Sequence, residues 1–203
     1  MVFSPGKGDP LVPSRRMQQI LEGGLVMHAV RSVAHLPKAG IFADLRQQLA
    51  GLLAGERDGL ANCANLAALI YETLPALNWA GFYFVQGGEL VLGPFQGKVA
   101  CVRIALGTGV CGTAAVRRET LVVPDVHEFP GHIACDAASR SEIVVPLIES
   151  GRVLGVLDLD SPEPGSFDSE DAEGLGALVR LLLEGSDFGR LVDFGRLGDR
   201  RPG

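Results

Sequence analysis

Three cysteines lie in polar, glycine-rich surroundings: Ala100-Cys101-Val102-Arg103, Gly109-Val110-Cys111-Gly112-Thr113 and Gly131-His132-Ile133-Ala134-Cys135-Asp136. Gly, Arg, His and Asp neighbours leave a thiol able to meet a substrate or another thiol. The spacings of ten and twenty-four residues fit neither a Cys-x-x-Cys redox pair nor a finger-type zinc site. Thiol chemistry assembled by the fold from separate segments is the reading left. The fourth cysteine, Cys63, falls on the apolar stripe Leu60, Cys63, Ala64, Ala67, Ala68, Tyr71 and Leu74, and is expected in the core.

Carboxylates form the second group. Asp158 and Asp160 are two apart on an expected strand and share a face, with Leu157 and Leu159 on the other. One solvated strand face is the ordinary meaning of that pattern. Glu142, however, opens the neighbouring strand of a hairpin turning at Ser150-Gly151, so pairing sets it against the Asp158–Asp160 end. Three carboxylates so close repel unless they bind a cation or share a proton. The cation can be a metal or a substrate ammonium group.

Other motifs are weaker. Gly107-Thr108-Gly109-Val110-Cys111-Gly112 fits G-x-G-x-x-G, but no βαβ unit surrounds it, as a dinucleotide site requires. It reads as a glycine turn entering a short helix over about 110–118, with Cys111 in the first turn. There the helix dipole is expected to lower the thiol pKa. His127, His132 and Cys135 are potential metal ligands, yet they lack a second closely spaced pair, and no metal site is expected. Trp79, the single tryptophan, is either ordinary core or a ring lining a pocket.

The elements that must position these groups follow from periodicity. Helices are expected over Phe42–Leu53 and Leu60–Leu74, the second beginning near Asp58. Ala80–Val85 and Glu89–Leu92 read as a hairpin around Gln86-Gly87-Gly88. Cys101–Leu106 and Thr120–Val123 are further strands. Glu142–Ile148 and Val153–Asp160 form a second hairpin, and a last helix starts at the N-cap Asp168. Between them runs the long polar stretch Pro124–Ser141, a length usually reserved for function. Helices first, hairpins in the middle and a helix last predict an α+β domain with a largely antiparallel sheet. The expected organisation is an extension over 1–38, a catalytic domain over 39–184 and a tail over 185–203. The tail repeats Asp-Phe-Gly-Arg-Leu at 187–191 and 193–197, too little for a repeat fold. Met17–Ala34 reads as a weak helix interrupted by Gly23-Gly24.

The 203 residues are 47% hydrophobic, enough for a sizeable core. Apolar runs fall far short of a membrane span. The formal charge of −6 is concentrated between residues 42 and 186, a poor match for phosphate backbones, so neither membrane nor nucleic acid is an expected partner. Residues 1–13 carry three prolines and no apolar run of the secretory kind. Together with the few cysteines this points to a reducing, cytoplasmic compartment.

At this point the chain resembles a known family. Asn78-Trp79-Ala80-Gly81-Phe82-Tyr83, Gly93-Pro94-Phe95-Gln96-Gly97-Lys98, Gly109-Val110-Cys111-Gly112-Thr113-Ala114, Asp125-Val126-His127, the segment 131–139 around Cys135, and Gly155-Val156-Leu157-Asp158-Leu159-Asp160-Ser161 are similar to the free methionine-(R)-sulfoxide reductases. The resemblance runs from about Phe42 to Leu183. It implies a GAF-like fold, reduction of free methionine sulfoxide, and no metal or organic cofactor. It places the nucleophile at Cys135 and the resolving thiol at Cys101, and leaves the role of Cys111 open. It makes Trp79 the pocket tryptophan and Glu142, Asp158 and Asp160 the pocket carboxylates. A sulfenic acid on Cys135 captured by Cys101, with recycling by thioredoxin or a similar dithiol, completes the implied cycle. A second copy of the chain is a candidate partner. The competing reading is a non-enzymatic GAF domain sensing a small ligand or redox state, which gives no reason for three carboxylates beside three placed cysteines.

Overall fold

The computed structural model describes residues 36–131, 138–189 and 191. Helix α1 (Lys38–Leu53) buries Ile41, Phe42, Leu45, Leu49 and Leu53, the three-and-four spacing of one helix face. It begins ahead of the expected Phe42 because Pro37, with φ −63°, already holds the entering chain. Helix α2 (Gly59–Thr73) is capped by Asp58, whose carboxylate accepts from the Leu60 and Ala61 amides. Cys63 is fully buried on it, as expected.

Strands β1 (Trp79–Gln86) and β2 (Glu89–Gly97) meet at Gly87-Gly88, with φ of 61° and 88°. Positive φ at both central residues is what a two-residue hairpin turn demands. The expected second strand spans Glu89–Leu92. The strand instead continues through a register shift opposite Gly81–Tyr83 and resumes pairing at Phe95. A bulge absorbs the proline that cannot donate to the ladder. The expected strand over Cys101–Leu106 shrinks to β3 (Arg103–Ala105).

Helix α3 (Gly109–Arg117) and strand β4 (Leu121–Val123) follow. The second hairpin is β5 (Ser141–Glu149) with β6 (Arg152–Ser161), and helix α4 (Ser169–Gly185) closes the domain. Asp168 and Asp171 form a reciprocal capping box at its start. The six strands lie in the order β3-β2-β1-β6-β5-β4, and every pairing is antiparallel. The α+β reading, a central antiparallel sheet flanked by helices, is the observed fold.

Period-two alternation gives the sheet two faces. Ala80, Phe82, Phe84, Ile143, Val145, Leu147, Leu157 and Leu159 belong to one buried cluster with residues of α1, α2 and α4. Trp79, Tyr83, Val144 and Val156 belong to the other, with Val110, Cys111, Ala114 and Ala115 of α3. Phe188, in the first copy of the repeated pentapeptide, is 3% exposed and part of the first cluster. The Asp187 carbonyl accepts from the Gly59 amide at 3.1 Å, seating this segment at the start of α2. The second copy and Met17–Ala34 lie outside the described residues. No helix among the described residues is long and apolar enough to cross a membrane.

Candidate active site

The central strands set the site. In the ladder, Asp160 of β6 lies opposite Trp79 of β1 on one side and Glu142 of β5 on the other. Asp158 is two residues back on the same face. Above them sits α3, entered through Gly107 and Gly109 with φ of 83° and 62°. A Cβ on Gly112 would run into the Ala105 carbonyl oxygen. All three glycines of the G-x-G-x-x-G motif are therefore used to turn a short helix tightly onto the sheet, which lowers Cys111 towards the carboxylates. Between sheet, helix and the segment after β2 is a cleft lined by Trp79, Tyr83, Lys98, Cys111, Glu142, Asp158 and Asp160, with Ser139 at one side.

Burial dominates the electrostatics. Glu142 and Asp158 are each 6% exposed, and Cys111 is 4% exposed. The Cys111 Sγ donates to Glu142 Oε1 at 3.9 Å. Its sulfur and one oxygen each from Glu142 and Asp158 lie within 4.8 Å of one another. Burial holds the Glu142 carboxyl well above the usual range, reinforced by the charges of Asp158 and Asp160. Burial likewise lifts Asp158 to about 7, although hydrogen bonds from Cys111 and Glu142 pull it back. The two carboxyl groups titrate as an interacting pair in which burial favours the protonated forms.

The expectation for Cys111 is corrected. Its thiol is pushed well above the ordinary value, first by burial and then by the Asp158 and Glu142 charges. Here burial and the neighbouring carboxylates outweigh the pull of the helix N-terminus. The atoms of Cys111, Glu142 and Asp158 have the mutual spacing of a cation site. Within this trio the Cys111 thiol and Glu142 are joined by a hydrogen bond.

Two aromatic side chains anchor the wall carrying Cys101. The Tyr83 hydroxyl donates to the Cys101 carbonyl at 3.0 Å, and the Trp79 Nε1–H to the Lys98 carbonyl at 3.2 Å. The Trp79 ring stacks on Phe95, centroids 5.4 Å apart, and on Tyr83 at 5.8 Å. Burial and the nearby carboxylates keep the Tyr83 hydroxyl protonated well past its normal range, so it stays a donor. Cys101 is disulfide-bonded, whereas Cys63 and Cys111 are free thiols.

The chain matches the GAF domain family over residues 26–182. It is 54% identical over 145 residues to the free methionine-R-sulfoxide reductase of Escherichia coli, covering 71% of this chain and 88% of that protein. The Saccharomyces cerevisiae enzyme of the same name is 46% identical over 163 residues, covering 76% and 91%. The structure resembles the substrate complex of the free methionine-R-sulfoxide reductase from Neisseria meningitidis, with a TM-score of 0.75 and 46% identity over 78% of this chain and 95% of that one. This chain belongs to the free methionine-R-sulfoxide reductase family. It is an oxidoreductase on a GAF scaffold.

Of the residues singled out from sequence, the reductase fold brings Trp79, Cys111, Glu142, Asp158 and Asp160 to one cleft, and Cys101 to its rim through Tyr83. Cys135 and His132 lie outside the described residues. His127 is exposed on a short 3₁₀ turn (Val126–Glu128), whose start is fixed by Asp125 accepting the His127 amide. Tyr83 and Ser139 also line the cleft and were missed. Tyr83 had a signal: it lies four residues after Trp79 on a strand, on the same face.

Proposed function

We propose that this chain reduces free L-methionine-(R)-sulfoxide to L-methionine. The observation that carries the reading is the meeting of Trp79, Glu142, Asp158 and Asp160 on one sheet face, in a cleft walled by the Cys101 segment. The Cys135 thiolate attacks the sulfoxide sulfur. The protonated oxygen passes from the methionine sulfur to the Cys135 sulfur as the transient S–S bond and the methionine S–O bond break, so methionine leaves and Cys135 is left as a sulfenic acid. Glu142 and Asp160 polarise the departing oxygen and donate the proton it needs. Burial supports this role, because it raises the proton affinity of the Glu142 carboxyl. The Cys101 thiol then displaces the oxygen as water, forming the Cys101–Cys135 disulfide. A thioredoxin-type dithiol reduces that disulfide and is itself oxidised.

Asp158 Oδ1 is buried without a hydrogen-bond partner. An ammonium group would satisfy it. A peptide-bound or N-acetylated methionine sulfoxide carries no such donor cation and would leave the acceptor stranded. The Trp79 ring offers a flat apolar wall for the S-methyl group. The catalytic unit is assigned to residues 39–184, acting in a reducing cytoplasm.

Incubation with free and N-acetylated R- and S-sulfoxides plus dithiothreitol, with chromatography of the product, tests the reading. Conversion confined to the free R epimer is expected; equal rates on the acetylated compound overturn the free-substrate assignment. In single-turnover assays Cys135→Ser is expected to release no methionine, and Cys101→Ser about one equivalent with slowed recycling. A full burst from Cys135→Ser would move the nucleophile elsewhere.

A further inference from the structure

The reaction proposed above uses two thiols, and a third one points into the same cleft. We propose that Cys111 is a positioning thiol: it stays reduced through turnover and donates its S–H to the Glu142–Asp158 pair, fixing the carboxyl that faces the departing oxygen. The inference rests on the proposed sulfoxide reduction and extends it to a residue that reaction leaves unassigned.

Geometry carries the argument. The Cys111 Sγ lies 3.9 Å from Glu142 Oε1, an acceptable S–H···O distance. An Asp158 oxygen completes a triangle with all sides within 4.8 Å. At 4% exposure the thiol offers little surface to an incoming dithiol. The fold has also spent three glycines to put it there, since any side chain at Gly112 would collide with the Ala105 carbonyl. Thr108 and Gly109 carry the helix start over the cleft, so the thiol aims down onto β5 and β6.

The groups facing Cys111 are anionic or neutral acids. Glu142 comes from β5, Asp158 and Asp160 from β6, and Tyr83 from β1, while Lys98 lines the opposite wall. Among acids a thiol remains protonated and serves only as a donor. That donation lowers the proton affinity of Glu142 and of Asp158, opposing their burial. Without it, the carboxyl pair would hold its last proton to higher pH and Glu142 would lose its fixed orientation.

The two ways of using a third cysteine differ in experiment. Full-length wild type, Cys111→Ala and Cys111→Ser are compared in single-turnover reduction of free methionine-R-sulfoxide, with EDTA present, from pH 5 to 10. Steady-state turnover with a thioredoxin-type dithiol is measured in parallel. For Cys111→Ala the burst is expected to stay at one equivalent. Its rate should fall about tenfold, the worth of one hydrogen bond, and its alkaline limb should move to higher pH. Cys111→Ser keeps a donor and is expected to restore both the rate and the limb. After substrate, mass mapping of the wild type should find Cys111 as a free thiol. A wild-type pH profile in Cys111→Ala overturns the inference. So does a matched loss of dithiol recycling in both variants with the chemical step intact, which makes Cys111 a redox thiol. Inactive wild type instead overturns the sulfoxide reading on which the inference rests.

Discussion

The sheet face that meets α1, α2 and α4 is apolar across its central strands, while the face under α3 holds three carboxyl groups and a free thiol. The same strands make both. In β6, Leu157 and Leu159 enter the helical layer and Asp158 and Asp160 enter the cleft. Burying carboxyl groups costs free energy. The helical layer, with Leu159, Ile143 and Leu157 fully buried beside Leu45, Leu49, Leu66 and Leu175, supplies the stability that the acidic face spends. Alternation by two thus lets one ten-residue strand serve packing and chemistry without compromise between them.

Exchanging the faces one residue at a time separates these roles. The largest effect is expected at the cleft: Glu142→Gln or Asp160→Asn should slow the chemical step by about 10²–10⁴, measured by rapid quench, with thermal stability kept or raised. If both variants retain the wild-type rate, the acidic face is not catalytic and the contrast between the faces fails.

One residue away the effects should invert. Leu157→Ala opens a cavity in the helical layer and should cost about 2–5 kcal/mol by urea unfolding, while the single-turnover rate of the folded fraction stays near wild type. A rate loss as large as that of Glu142→Gln would show that the two faces are not independent.

The pH dependence of stability sharpens the comparison. Asp158 has a folded pKa of about 7, raised from 3.8 chiefly by burial. Between those values the folded state binds more protons than the unfolded chain, so this group's contribution falls as pH rises through that window and levels off above it. Asp158→Asn removes the penalty. It should raise the melting temperature at pH 8 and change it little at pH 4, while raising KM for free methionine sulfoxide more than it lowers kcat. Destabilisation at pH 8 would mean that the ionised Asp158 is compensated within the cleft. The smallest effect is expected away from both faces: Asp58→Ala removes the cap of α2 and should cost about 1 kcal/mol with activity unchanged.

Much of the site could be read from sequence because its geometry is local. Ser150-Gly151 fixes the second hairpin and so brings Glu142 to the Asp158–Asp160 end of its partner, and a register shift at Leu147/Ile148 then sets it against Asp160 rather than Leu159. Asp58 and Asp168 announced their helices through side-chain chemistry that acts within three residues. The failures all involve partners distant in sequence. The bulge that carries Gly93-Pro94 depends on how β1 sits between β2 and β6. The thiol of Cys111 was judged from its own helix, yet β5 and β6 decide its proton affinity. Phe188 looked like tail because the core it enters is built by residues far upstream. Tyr83 holds Cys101 through a backbone carbonyl, a contact that leaves no mark on residue type.

The strand order has a consequence for the timing of synthesis. β1 finds β2 at once through a two-glycine turn, but its other edge is covered by β6, which emerges only after β5. Pairings of such long range form slowly, and an uncovered central strand is a template for foreign strands. The hairpin of β5 and β6 therefore acts as a latch. Its arrival closes the exposed edge of β1 and, in the same movement, delivers Glu142, Asp158 and Asp160 beneath Cys111. A nascent chain stalled before that hairpin holds Trp79 and Tyr83 but no acid, so competence for catalysis and protection from aggregation begin together.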